Sequence, residues 1–241
     1  MLGGFTNQIA VVTGASSGIG KAIALALGAQ GATLCLLGRS IDPLQFTVPR
    51  VAKFNVDLGE ESQIREVAVA LRKQFGGVDV LIHSAGIFIQ NGSDATTSAD
   101  LDRQQRVNLR APRLLTEQLM PALQARHGQV VFINSSVARN SSVGANQYTA
   151  AKVALKAFAD NLRNEVNPVG VRVLSVFPGR TATPMQAAIH QMEGKEYRPE
   201  RLLQPEDVAS VVINALCLPR TAEVTEIDIR PMQKPMANSN A

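Results

Sequence analysis

Seven apolar runs of strand length punctuate the chain, at residues 8–13, 32–37, 50–56, 78–83, 129–134, 171–177 and 224–229. Most are nearly continuous in apolar residues instead of alternating, as strands are when helices cover both faces of a parallel sheet. Between most of them the period lengthens to that of a helix. Residues 61–77 set Ile64, Val67, Ala68, Leu71 and Phe75 on one stripe, and Ala151, Leu155, Phe158 and Leu162 repeat the pattern after Tyr148. Residues 18–31 read as another helix, ending at Gly31, a residue suited to a C-terminal cap. The alternation predicts an α/β chain with a doubly wound, mostly parallel sheet.

Three segments break the rhythm. Residues 38–50 carry Pro43 and Pro49 and are too short for an ordinary crossover helix, so a loop or one helical turn is expected. Residues 184–200 read as a mobile loop bearing Met185, Ala187, Ala188, Ile189, Met192 and Tyr197. Residues 231–241 have no periodicity and read as a flexible tail after a single domain spanning 1–230.

Composition narrows the function classes. The 241 residues are 45% hydrophobic and 18% charged, enough to build a sizeable core. A net charge of +4 is spread thinly, and with no tryptophan and two tyrosines a nucleic-acid stacking surface is not expected. Cys35 and Cys217 lack ligand spacing and the three histidines lie far apart, so no metal site is expected. No apolar stretch approaches the ~20 residues of a membrane span, and no signal peptide is evident. The expected location is the cytoplasm.

The first specific chemistry is the turn "TGASSGIG", residues 13–20, between the first strand and first helix. Gly14, Gly18 and Gly20 permit a tight turn, and with Ser16, Ser17 and Ile19 they lead into a helix N-terminus, whose free N–H groups attract phosphate. The Gly-x-x-x-Gly-x-Gly spacing departs from the commonest dinucleotide fingerprint. Its placement nevertheless points to a dinucleotide site, with a turn required only for packing as the alternative. At the end of the second strand, where a carboxylate would read a ribose 2′-hydroxyl, stands Arg39. Its forked guanidinium suits a 2′-phosphate, favouring NADP(H) over NAD(H); an ordinary solvated arginine is the alternative. Asp42 is close, but Pro43 steers it elsewhere.

Further along, "NQYTAAK" places Lys152 four residues after Tyr148. Standing alone, such a pair is most often a helix start beside a solvated lysine. In its setting, however, the chain resembles the short-chain dehydrogenase/reductase family over about residues 8–230. The resemblance rests on "TGASSGIG", "NVDL", "HSAG", "RVNLRAP", "FINSS", "YTAAK" and "PGRTATPM", in that order. It implies a Rossmann-type sheet of about seven strands and an oxidoreductase interconverting a carbonyl compound and an alcohol by hydride transfer. Tyr148 would be the general acid/base, its pKa lowered by Lys152 and by the positive nicotinamide. Lys152 would also hold the nicotinamide ribose. Ser135, 13 residues before Tyr148, would hydrogen-bond the substrate oxygen, with Ser136 as runner-up.

The Asn108 carbonyl would hold a water in a proton path, and Pro112, four residues later, frees that carbonyl by lacking an N–H. Asp57 would contact the adenine, Ala85 and Gly86 would admit the cofactor, and Thr183 would bind the carboxamide beyond the Pro178–Gly179 turn. His83 and Ser84 depart from the family's Asn-Asn-Ala-Gly, leaving the usual bracing of the central strands unaccounted for; His83 reads as structural. The C-terminal "VTEIDIRPM" departs from the ending of acyl-carrier-protein ketoreductases. A homodimer or homotetramer is expected, through helices 100–126 and 148–167. Substrate contacts are expected from 87–93, 137–147 and 184–200. The alternatives are a non-catalytic dinucleotide-binding regulator and an epimerase or dehydratase of the same family.

Overall fold

All seven apolar runs form strands in the computed structural model, which describes residues 4–41, 48, 50–89, 97–139 and 147–233. They are β1 (Ile9–Thr13), β2 (Thr33–Gly38), β3 (Val51–Asn55), β4 (Val80–His83), β5 (Gln129–Ile133), β6 (Arg172–Pro178) and β7 (Glu226–Ile229). They make one parallel sheet in the order β3-β2-β1-β4-β5-β6-β7. β1, β4 and β5 are buried at every position, whereas the edge strands β3 and β7 are half-exposed. Continuous apolar sequence thus marks strands covered on both faces.

The helices are α1 (Gly18–Ala29), α2 (Glu61–Phe75), α3 (Ser98–Gln105), α4 (Ala111–Gln124), α5 (Gln147–Val166), α6 (Pro184–Met192) and α7 (Pro205–Leu216). One core lies between the sheet and α2, α4 and α5, where Ile64, Leu71, Leu115, Leu119 and Leu155 meet Val11, Leu81 and Val130. The other lies under α1 and α7, where Ile23, Leu27, Val208 and Val212 meet Val12, Leu36 and Ile82. Truncating a fully buried leucine such as Leu71 to alanine removes about 2–5 kcal/mol from such a core. Gly31 follows α1 with φ +94° and its N–H on the Gly28 carbonyl, in the capping position its sequence suggests.

Three expectations change. The 184–200 segment begins with a helix: Thr183 caps α6 by accepting from the Gln186 N–H at 3.2 Å, and Pro184 occupies its first turn. A second helix, α7, fills a stretch to which no element was assigned, and its buried Val208, Ala209, Val212, Ile213 and Leu216 pack at helical spacing. The helix expected over 100–126 is instead α3 and α4 joined by a π-helical turn over Arg106–Arg110. There the Ala111 N–H reaches back to the Arg106 carbonyl, so the chain gains a residue where Pro112 has no N–H to give. Most of the expected loop at 38–50, including Asp42, Pro43 and Pro49, lies outside the described residues, as do 90–93, 140–146 and 234–241.

Candidate active site

Beyond the carboxyl ends of β1 to β5 lies a cleft of about 270 Å³, the place where doubly wound sheets hold ligands. Its floor is the glycine turn. Gly14 (φ +66°) and Gly18 (φ +53°) adopt left-handed backbone conformations that disfavour a side chain. A Cβ on Gly14 would stand 2.8 Å from Ala85 Cα, and one on Gly20 would stand 2.4 Å from the Gly14 carbonyl oxygen. These contacts draw the first turn of α1 against β1 and the β4 end. Ser17 occupies the N-cap of α1 without capping it through its side chain, and no acidic residue sits in that first turn. The helix therefore presents its N–H groups and positive dipole end toward the cleft, a fit to a pyrophosphate.

At one end of the cleft the lining is charged and open. Arg39 follows Gly38 at the tip of β2, is exposed, and makes no ion pair with any described residue. Asp57 accepts from the Gly59 N–H at 2.8 Å, and its other oxygen lies 3.5 Å from Arg103 on α3. Arg103 and Val107 close the same end of the cleft, although sequence reading gave neither a role. Forty-six residues separate Arg103 from Asp57, so their proximity appears only in three dimensions.

The other end is more enclosed, with Lys152 buried and Tyr148 half-buried. Tyr148 and Lys152 lie one turn apart on α5 and both line the cleft. The Lys152 ammonium donates to the Ile133 carbonyl at 3.0 Å and sits 5.7 Å from the Tyr148 ring centroid. Burial pushes its pKa down to about 8. Burial also holds the Tyr148 phenol above the usual tyrosine range, opposed by its hydrogen bond with the Ser135 side chain. The lowering expected from Lys152 and the positive nicotinamide belongs to the cofactor-bound site; in the chain alone, loss of water around the phenol is the largest influence on it. Phe88 meets the Tyr148 ring edge-on at 5.3 Å.

Asn108 is fully buried in the π-helical turn, and its side chain brackets Ile87, accepting from the Ile87 N–H at 2.9 Å and donating to the Ile87 carbonyl at 2.8 Å. Gly86 lies beside it, where a Cβ would stand 3.4 Å from Asn108 Oδ1 and 3.9 Å from Lys152 Nζ. Sequence reading gave Asn108 a main-chain role only; the side-chain bracket was missed. Asn134, also missed, lines the cleft and donates to the Lys152 carbonyl at 3.1 Å, while its buried Oδ1 has no partner.

The bracing left unassigned by "HSAG" comes from β1. Thr13 Oγ1 accepts from both the Ser84 and Ala85 N–H groups at 3.1 Å and donates to the Ile82 carbonyl. His83 is a structural side chain, stacked on Phe132 and 2.7 Å from Thr116 Oγ1, its pKa pushed down to about 3 by burial.

The sequence profile of the short chain dehydrogenase family matches residues 8–194. The chain belongs to that family. An uncharacterized oxidoreductase of Staphylococcus aureus (strain N315) is 31% identical over 94% of this chain and 98% of its own length. Among solved structures, an alcohol dehydrogenase from the archaeon Thermococcus sibiricus, complexed with 5-hydroxy-NADP, superposes with a TM-score of 0.83 at 27% identity, covering 95% of this chain and 99% of that one. The L-sorbose reductase of Gluconobacter frateurii, complexed with NADPH and L-sorbose, gives a TM-score of 0.80 at 27% identity, covering 95% and 97%.

In this short-chain dehydrogenase, twelve of the residues selected from sequence line one cleft: Gly14, Ser16, Ser17, Gly18, Ile19, Arg39, Asp57, Ala85, Gly86, Tyr148, Lys152 and Thr183. Five others stand next to that lining. Gly20 packs beneath the turn, Asn108 brackets Ile87, and Ser135 bonds Tyr148. Pro178 ends β6, and the Gly179 N–H donates to the Ile229 carbonyl at 2.7 Å, tying β6 to β7. Ser136, the alternative serine, is exposed in the 3₁₀ turn after Ser135. Among the described residues, no cluster of three or more His, Cys, Asp or Glu could hold a metal, and no helix is long and apolar enough to cross a membrane.

Proposed function

We propose that this oxidoreductase is an NADP(H)-dependent enzyme interconverting a small-molecule carbonyl compound and its alcohol, with Tyr148 as general acid/base. The observation that carries the reading is the placement of Tyr148 and Lys152, one turn apart on α5, in the cleft that also holds the glycine turn. When bound, the cofactor exchanges hydride at nicotinamide C4 with the substrate carbon. The chain's own residues do the rest.

The turn from Gly14 to Gly20, with Ser16, Ser17 and Ile19, holds the pyrophosphate on the α1 N-terminus. Asp57 contacts the adenine, and Arg39 takes the 2′-phosphate as a forked donor. The backbone at Ala85 and Gly86 lets the dinucleotide approach. Thr183, whose oxygen already accepts from the Gln186 N–H, keeps its hydroxyl proton to donate to the carboxamide. Lys152 holds the nicotinamide ribose, and the Asn108 carbonyl holds a water toward solvent. The NADP(H) complexes of the Thermococcus and Gluconobacter relatives favour the same cofactor.

For reduction, Tyr148 gives its phenolic proton to the oxygen that gains charge, and Ser135 donates a hydrogen bond to that oxygen. A tyrosine phenol is protonated at neutral pH, the form a proton donor needs. Ile87, Met185 and Pro184 give this part of the cleft an apolar wall, with Phe88 packed on Tyr148, suited to a moderately apolar substrate. The reading includes a single domain over 1–230 and a homo-oligomer in the cytoplasm.

The test is a panel of ketones, aldehydes and quinones with NADPH, and of secondary alcohols with NADP⁺, followed by nicotinamide absorbance. At least one compound should turn over faster with the phosphorylated cofactor than with its NAD counterpart. Tight NADPH binding with silence across the panel would overturn the enzymatic reading in favour of a regulator.

A further inference from the structure

The proposed catalytic groups come from two elements that are not continuous in the fold. Ser135 starts the turn after β5, and Tyr148 and Lys152 ride on α5. Their hydrogen bond requires the turn and the helix to keep register. A device for that stands on β7, the edge strand at the far side of β6.

Glu226 there is only 28% exposed, and its two carboxylate oxygens bind two cations from those two elements. Oε2 accepts from Arg139 Nη2 at 2.6 Å, and Arg139 lies four residues after Ser135. Oε1 lies 3.0 Å from the Lys156 ammonium, which is one turn beyond Lys152 and two beyond Tyr148 on the same helix face. Each cation has a second anchor. Arg139 donates to both Asp228 oxygens, at 3.1 and 2.9 Å, with its guanidinium 3.9 Å over the Phe177 ring. Lys156 donates to Asp160 at 2.6 Å, and Asp160 also accepts from Arg163 at 2.9 Å. Arg163 in turn donates to the Val173 and Thr225 carbonyls, on β6 and just before β7.

An isolated exposed ion pair fixes little. This one is half-buried, forked at the arginine and continued at both ends, so moving either cation breaks several contacts at once. We propose that Glu226 is a positioning residue: one carboxylate on β7 clamps the Ser135 turn, through Arg139, to the Tyr148 helix, through Lys156, and thereby keeps the Ser135–Tyr148 hydrogen bond made. The role rests on the proposed function, since it matters only if that hydrogen bond serves turnover. The clamp itself does not depend on that reading.

Two measurements on the full chain test it. Hydrogen exchange by mass spectrometry on Glu226→Gln should show faster exchange at both 134–139 and 147–156, with 9–13 and 33–38 unchanged. Arg139→Gln should loosen mainly the first of these segments and Lys156→Gln mainly the second. Faster exchange confined to 224–229 would overturn the clamp. With the carbonyl that turns over fastest in the panel, Glu226→Gln should lower kcat about tenfold, while NADPH affinity stays within about twofold. In a Ser135→Ala background the same change should cost at most about twofold, because the contact it maintains is already gone. An unchanged kcat, or a full tenfold loss repeated in that background, would refute the positioning role. A parent protein that turns over none of the panel refutes the enzymatic reading and with it the positioning role, while exchange still decides the clamp.

Discussion

The two ends of the cleft are built on opposite principles. The end around Tyr148 and Lys152 is the drier: the ammonium is buried on a backbone carbonyl, the phenol is half-buried, and burial moves both pKa values away from their usual ranges. The end around Arg39, Asp57 and Arg103 is wet, with exposed cations and one ion pair at 3.5 Å. Perturbed groups cluster where proton chemistry is proposed, and exposed charges cluster where a phosphate would be recognised. Substitutions at the dry end should therefore act on rate and stability, and those at the wet end on affinity.

The largest effect should come from Tyr148→Phe, which removes the proposed proton donor and leaves the ring. Turnover should fall by about a thousandfold or more, with NADPH affinity within about threefold. Retention of most of the rate would remove the dry end from the chemistry.

Lys152→Met tests the same end through stability. With the Lys152 pKa held down to about 8, the unfolded chain binds more protons than the folded one between there and the ordinary lysine range, about 10.4. This group's contribution is thus most unfavourable below about pH 8 and fades as pH rises through that window. The methionine variant should be more stable at pH 7, by a few kcal/mol at most, with the advantage shrinking toward pH 10. Thermal melts across pH check it, and a variant less stable at pH 7 would contradict the account of burial.

At the wet end, Arg39→Ala should weaken NADPH about tenfold or more by calorimetry and leave NADH within about twofold. Equal losses for both would remove the 2′-phosphate assignment. The smallest effect should be that of Arg103→Gln. Its half-exposed pair with Asp57 is worth little in water, so both cofactors should change together by no more than about threefold.

The sheet was legible because β1, β4 and β5 are buried along their whole length and nearly continuous in apolar residues, a pattern few other arrangements produce. The glycine turn and the Tyr148–Lys152 pair were legible because their chemistry is local. α6 was misread although Met185, Ile189 and Met192 recur at helical spacing behind the Thr183 cap and Pro184. Its apolar side chains suggested a substrate wall and drew attention from their period. α7 also signals its start, with Pro205 at the first turn and Gln204 and Asp207 in a capping box. What sequence does not disclose is how much water folding removes. The spacing of Tyr148 and Lys152 gave their proximity and not the burial that acts on the phenol in the chain alone. Long-range partners such as Asp57 with Arg103 and Arg139 with Glu226 emerge only when the topology brings their elements together.

The most direct test of the central claim follows the hydride. NADPH dideuterated at nicotinamide C4 is incubated with the parent protein and the carbonyl it reduces fastest, and the alcohol is analysed by mass spectrometry. The account predicts one deuterium on the carbinol carbon for each NADPH consumed, with labelled product forming more slowly by about a thousandfold or more when Tyr148→Phe replaces the parent. Unlabelled alcohol, or labelled alcohol formed at an undiminished rate by the phenylalanine variant, would contradict it.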